Sequence, residues 1–313
     1  MPSRPWRPLT AVVVTLLLWA SAFVAIRHLG RDFDPGALSL GRLLVGAACL
    51  AIAALATGLT RPTRGELIRI VAIGVLWFAI YNLALNEGER RVDAGTASML
   101  IQIAPVLIAV LAAVFLSERF TVWLVLGLAL AFGGVVLISL STTPGGDRDV
   151  VGVALCLVSA LVYSVSVILQ KPVMARLSAV QVVWLACTVG AVVCLPFAGD
   201  LVEQTAAAPV SSVLWLVYLG IFPTAIAFTT YAYALRHMSA SSLGVTTYLV
   251  PPITIVLGLV FLDEAPPALA YVGGALALVG VAVARRRPRA KIEPVPEPAS
   301  SRDRTTADTR PRH

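Results

Sequence analysis

Arg42 is a charge in an apolar setting: no other charged residue lies within two helical turns of it on either side. A cation at such depth in a membrane costs about 2.5–3.5 kcal/mol on insertion scales unless it is paired or wetted. It either faces an aqueous cavity and pairs with an anionic group of a small molecule, or snorkels to the outer interface or a neighbouring carbonyl. Trp19 and Tyr163 offer aromatic faces of the kind that line small-molecule pockets, with core or lipid packing as the alternative. Tyr81, Asn82 and Asn86 follow one another closely, and the spacing of four puts Asn82 and Asn86 on one helix face. Gln102 and Tyr248 each precede a proline, Pro105 and Pro251, by three residues. Proline brings no N–H and so frees a carbonyl one turn earlier. That carbonyl can meet a substrate, or Gln102 can bond it. The expected binding residues are therefore Trp19, Arg42, Tyr81, Asn82, Gln102, Tyr163 and Tyr248. Pro105 and Pro251 are expected as hinges, against fixed bends.

These side chains hold a molecule rather than break its bonds. No acid/base pair, nucleophile dyad or metal cluster is visible at depth, so no enzyme is expected. No Asp or Glu occupies the middle of an apolar run, and His28 and His237 flank run ends. A buried proton relay of carboxylates or histidines therefore has no evident candidate. No Walker motif is present, so ATP is not expected to drive the protein directly. Cys49, Cys156, Cys187 and Cys194 lie in apolar runs without a CxxC or a nearby His, which reads as packing rather than metal or disulfide chemistry. No cofactor or metal is expected. Glu118 and Glu264 end apolar runs, where capping or loop fixing suffices.

The elements that position these residues follow from composition. The 313 residues are 58% hydrophobic and 13% charged, with a mean hydropathy of +0.87. A soluble domain carries about 25% charged residues. The expectation is an all-α polytopic membrane protein embedded in a lipid bilayer. Ten apolar runs span roughly 10–28, 36–58, 67–86, 94–116, 120–140, 150–170, 179–198, 211–235, 241–262 and 268–284. Each is near the roughly 20 residues a spanning helix needs. The start resembles a signal peptide, with Arg4, Arg7 and Ala20-Ser21-Ala22, but the apolar run continues past that point. The formal charge of +7 sits in short loops and a tail, a topology signal rather than a nucleic-acid footprint. Placing Arg4, Arg7, Arg61, Arg64, Arg69, Arg119, Lys171, Arg176 and Arg236 inside leaves Arg27, Arg31, Arg90, Arg91 and Arg148 outside. Both termini are then cytoplasmic, in a cell membrane.

The chain also repeats itself. A shift of 146 residues sets Pro105 on Pro251, Glu118 on Glu264, Gly127 on Gly273 and Gly134 on Gly280. A shift of 144 sets Trp19 on Tyr163, Arg27 on Lys171 and Gly46 on Gly190. The organisation is a cytoplasmic N-terminus 1–9, a five-helix repeat 10–140, a second repeat 150–284, and a disordered basic tail 285–313. Five is odd, so the second repeat enters the membrane inverted, a plan common in secondary transporters. The glycine rows 127/134 and 273/280 suit close helix contacts, within the chain or in a homodimer.

This constellation resembles the EamA family of the drug/metabolite transporter superfamily. The resembling blocks are Ala94…Pro105…Glu118-Arg119…Gly127…Gly134, Ala240…Pro251…Glu264…Gly273…Gly280 and the opening Leu18-Trp19-Ala20-Ser21-Ala22-Phe23. Arg119 departs from the pattern, because Ala265 stands at its counterpart. The resemblance implies export of a small organic metabolite, such as an amino acid or drug-like compound, by alternating access. A non-transporting membrane scaffold or sensor is the alternative.

Overall fold

A computed structural model of the chain describes residues 6–115, 122–141, 150–238, 243 and 246–284. The expectations for Glu118, Arg119 and the tail 285–313 lie outside the described residues. Every regular element among the described residues is helical. In chain order these are α1 (Trp6–Leu29), α2 (Pro35–Thr57), α3 (Arg64–Arg91), α4 (Ala94–Ile101), α5 (Ala104–Phe115) and α6 (Val122–Ser141). They continue as α7 (Val150–Val173), α8 (Ala179–Val193), α9 (Ala198–Ala207), α10 (Val210–His237), α11 (Val250–Phe261) and α12 (Ala268–Ala284).

By length and composition, α1, α2, α3, α7 and α10 can each cross a membrane, and α8 with the segment after it forms a further, bent candidate. The other apolar helices are shorter. Large apolar side chains such as Ile52, Leu55, Leu214 and Val260 face outward. In water such a surface would aggregate; against acyl chains it is the stable solution. The protein is a multi-pass membrane protein. Polar residues start the helices where loops meet water. Thr63 and Glu66 form a capping box at α3, while Asp93 caps α4 and Ser178 caps α8 through their side chains.

The repeat is written in the backbone. Both bounds of α3 and α10 differ by 146, as do those of α5 and α11, and both bounds of α1 and α7 differ by 144. Even the irregularities recur. A π-helical stretch, Gly74–Ile80, widens α3, and its counterpart Gly220–Ile226 widens α10. The turn at Gln102 and Ile103, between α4 and α5, corresponds to a 3-10 turn at Thr247–Leu249 leading into α11. Pro105 and Pro251 stand just after these breaks, in the first turns of α5 and α11, where a missing N–H removes no hydrogen bond within the new helix.

One departure from the expected elements concerns 199–210, which lies between the apolar runs 179–198 and 211–235 and belongs to neither. Leu195-Pro196-Phe197 makes a 3-10 turn, and the chain then bends by 57° into α9. Residues 198–207 contain no proline and several good helix formers, so the helix resumes once past Pro196.

Contacts fix the helix directions. Trp19 lies beside Trp77 and Arg27 beside Glu89, so α1 and α3 run in the same sense. Gly152 packs on Arg91, Ser159 donates to the carbonyl of Tyr81, and Arg176 reaches Glu66, so α7 runs opposite to α3. The counterparts α1 and α7 are therefore antiparallel. The glycine rows meet within the chain. A Cβ at Gly134 would lie 2.4 Å from the Gly273 carbonyl oxygen and 2.6 Å from the Ala277 nitrogen, so α6 and α12 touch backbone to backbone.

Candidate functional site

The polar centre of the molecule is built at the crossing of α2 with the π-helical stretch of α10. Pro223 has no N–H to offer the carbonyl of Leu219. The Thr224 hydroxyl supplies a donor instead, at 2.8 Å. Its oxygen is then free to accept from Nε of Arg42, at 3.1 Å. Arg42 is only 3% exposed, so it is not snorkelling. Close approach makes this possible. A Cβ on Gly220 would meet the Val45 Cβ at 2.6 Å and the Arg42 carbonyl at 2.9 Å.

Arg42 lines a central cavity with Trp19, Phe23, Tyr81, Gln102, Tyr163 and Phe228. The cavity lies between the halves: Trp19, Arg42, Tyr81 and Gln102 come from the first, and Tyr163, Phe228 and Thr247 from the second. The space where the centre of a water can stand is about 40 Å³. That accommodates a few waters, each needing about 10–15 Å³, so the cavity is narrow.

Contacts of two different chemistries flank the cavity. At one end the Trp19 ring packs at 4.8 Å on Tyr231 and 5.6 Å on Phe228, and Trp77 packs at 5.0 Å on Tyr163. The hydroxyls of Tyr163 and Tyr231 bond at 2.9 Å. Aromatic groups in such clusters gain about 0.5–1.5 kcal/mol per pair beyond burial. At the other end Arg27 bridges the halves. Its Nε donates to both carboxylate oxygens of Glu264 at 3.1 Å, and its Nη1 donates to the Glu89 carbonyl at 2.7 Å. Glu264 was expected only to cap or fix a loop; here it pairs across the two halves.

Of the residues predicted to bind, Trp19, Arg42, Tyr81, Gln102 and Tyr163 line the cavity. Gln102 accepts from the Thr247 hydroxyl at 3.1 Å, a bond between the halves. Two predicted residues lie off the lining. Asn82 turns its amide onto its own helix, donating to the Phe78 carbonyl at 2.7 Å. Tyr248 packs against Val106 and Val110, and its neighbour Thr247 takes the cavity position because the 3-10 turn shifts the facing residue by one. Pro105 and Pro251 are both buried beside the breaks.

Sequence reasoning missed Trp77, Thr224, Phe228 and Tyr231, which read as ordinary members of apolar runs. It also missed Glu89. Lying near the end of α3, Glu89 looks accessible to water, yet it is 0% exposed. The neighbouring Pro223-Thr224 pair was the available signal for the Arg42 partner. The four cysteines are free thiols.

A profile of the EamA-like transporter family matches residues 6–140 and again residues 150–286. The chain belongs to the EamA-like transporter family. It is 42% identical over 278 residues to a probable terminal-alkyne amino-acid exporter of Streptantibioticus cattleyicolor, covering 88% of this chain and 93% of that protein. It is 32% identical over 268 residues to an uncharacterised transporter of Bacillus subtilis, covering 84% and 86% respectively. A solved crystal structure shares the fold with a TM-score of 0.62 at 24% identity, covering 90% of this chain and 97% of that one. As an EamA-like transporter with several apolar helices, the protein has a small-molecule substrate and works in a lipid membrane.

Proposed function

We propose that this EamA-like transporter exports a small organic metabolite of the amino-acid class across the cell membrane by alternating access. The observation that carries the reading is the narrow cavity between the halves, with Arg42 buried in its wall. A guanidinium can hold a carboxylate through charge-assisted hydrogen bonds. The aromatic and aliphatic lining suits the rest of a small amino acid. The similar protein from Streptantibioticus cattleyicolor is named as a probable amino-acid exporter, which supports this substrate class.

In this reading ten spans form two inverted halves with both termini in the cytoplasm. The antiparallel run of α1 and α7 supports inversion, and the basic loops support the orientation. The aromatic plug is then the inner closure, and Arg27–Glu264 the outer one. Opening one while the other holds exposes the same cavity to each side in turn. The breaks before Pro105 and Pro251 are where the walls would bend.

The test is counterflow in proteoliposomes. Vesicles preloaded with L-propargylglycine, a terminal-alkyne amino acid, should accumulate the labelled compound in a saturable way. A wider amino-acid panel should reveal any preferred side chain. Uptake equal to that of empty liposomes across the whole panel would overturn the amino-acid reading.

A further inference from the structure

Glu89 has no place in the transport cycle as described so far. It is 0% exposed, and neither carboxylate oxygen has a hydrogen-bond partner among the described residues. Its counterpart in the second half is Leu235, also 0% exposed. The same packing position therefore accepts a leucine in one half and a carboxyl in the other. Packing does not require the acid. An ionised carboxylate buried without partners is strongly disfavoured, and such a group takes up a proton instead.

The groups facing Glu89 are Arg27 from α1, Arg42 from α2, Cys156 from α7, Asp93 from the turn before α4, and Glu264 from the loop before α12. Arg27 matters most, because it already touches the backbone carbonyl of Glu89 while its Nε holds Glu264. One guanidinium thus ties the backbone of Glu89 to the carboxylate of Glu264. The face of α3 carrying Glu89 continues through Asn86 and Asn82, each with an orphaned buried amide oxygen. Spacings of three and four put all three on one side of the helix. That line leads back along α3 toward Tyr81 and Arg42 at the cavity, and its orphaned acceptors can hold waters.

We propose that Glu89 is the proton-exchanging carboxyl of this transporter, and that its proton decides whether Arg27 closes the outer end of the cavity. With the proton on a Glu89 carboxylate oxygen, Arg27 pairs with Glu264 and the outer end is shut, as seen here. With the outer end shut, that O–H bond breaks and the proton leaves through the cavity to water on the inner side; the new carboxylate then draws Arg27 from Glu264 and the outer end opens. A proton taken up from outside after release of the metabolite closes it again. One proton then moves inward for each metabolite exported. The proposal rests on the transport reading above, but the existence of the protonated carboxyl does not.

Infrared titration of the purified full-length protein tests the carboxyl directly. Wild type should show a protonated-carboxyl carbonyl band that fades as pH rises, and Glu89→Gln should lack it. Identical bands in both proteins across the titration would overturn the proposal. Glu89→Leu, which installs the side chain of the counterpart, guards against misreading a folding defect; it should be as stable as wild type. Proteoliposomes loaded with L-propargylglycine test coupling. With wild type, each unit of outside-acid pH gradient should raise the limiting concentration ratio about ten-fold, since a factor of ten corresponds to about 1.4 kcal/mol. Glu89→Gln and Glu89→Leu cannot form the carboxylate that draws Arg27 away, so both should lose counterflow together with that response, and Glu89→Asp should restore both. A Glu89→Gln protein that answers the gradient as wild type does would sink the coupling. Absence of wild-type counterflow would instead count against the transport reading, leaving the infrared result to decide whether Glu89 holds a proton.

Discussion

Two helix crossings in this molecule share one backbone and differ in what they carry. In the first, α2 meets the π-helical stretch of α10; in the second, α8 meets that of α3. A Cβ on Gly220 would lie 2.6 Å from the Val45 Cβ, and one on Gly74 would lie 2.6 Å from the Val189 Cβ. The neighbouring carbonyls are those of Arg42 and Ala186, at 2.9 and 2.7 Å. All of these residues correspond under the repeat. Yet Arg42 has Ala186 as its counterpart, and Thr224 has Phe78. One crossing holds a buried guanidinium on a hydroxyl, and the other holds a methyl group and a benzene ring. The same division continues along α3, where Tyr81, Asn82, Asn86 and Glu89 stand against Ala227, Phe228, Ala232 and Leu235 of α10. In the proposed cycle the symmetric backbone would let both ends of the cavity open by related movements, and the polar side chains are concentrated where the side-chain symmetry fails.

The largest effect expected from probing this comparison is on the polar crossing. Arg42→Ala copies the counterpart residue into α2. It removes a charge-assisted contact worth about 1.5–3 kcal/mol, so transport per molecule should fall about 10–100-fold. Flux normalised to purified protein checks this, with thermal unfolding as the control for folding. Unchanged flux would reduce Arg42 to a structural tie. Next come the shared glycines. Gly74→Ala and Gly220→Ala should each destabilise by about 1–3 kcal/mol through overpacking, and by similar amounts, because each added methyl meets a valine Cβ at 2.6 Å. Unequal unfolding midpoints would mean that the two crossings are not mechanically equivalent. The smallest effect is expected at a pair of hydroxyls. Thr15 donates toward the Ala227 carbonyl at 3.4 Å, and its counterpart Ser159 donates to the Tyr81 carbonyl at 3.3 Å. Thr15→Val and Ser159→Ala should each cost about 0.6 kcal/mol in unfolding assays, a typical interhelical hydrogen bond in a membrane. Thr15 also bonds Thr230 at 2.7 Å, where the other half has Ala84. An excess loss at Thr15 would measure that extra bond.

Much of the helical architecture was legible in the sequence because long apolar runs and repeated prolines and glycines survive without tertiary knowledge. The two shifts that aligned Trp19 with Tyr163 and Pro105 with Pro251 also align the helix ends. The π-helical stretches were not legible, since Gly74–Ile80 reads as seven ordinary helix residues. Arg42 announced itself by being charged in an apolar run. Thr224 did not, because a threonine in such a run is unremarkable until its hydroxyl is seen replacing the donor that Pro223 lacks. The resumption of helix in α9 was missed because Pro196 and the charges after it looked like a loop. Glu89 lies past the apolar run 67–86, where water is the default neighbour; only the packing of α1, α2 and α7 around it removes that water.

The contact of α6 with α12 bears on how such a protein can move. Gly134 lies against the main chain of Gly273 and Ala277 with no side chain between them. A junction of that kind has no rotamer to flip and no slack to take up. In the proposed cycle, the two halves would keep this seam in place and turn about it, as a book turns about its spine.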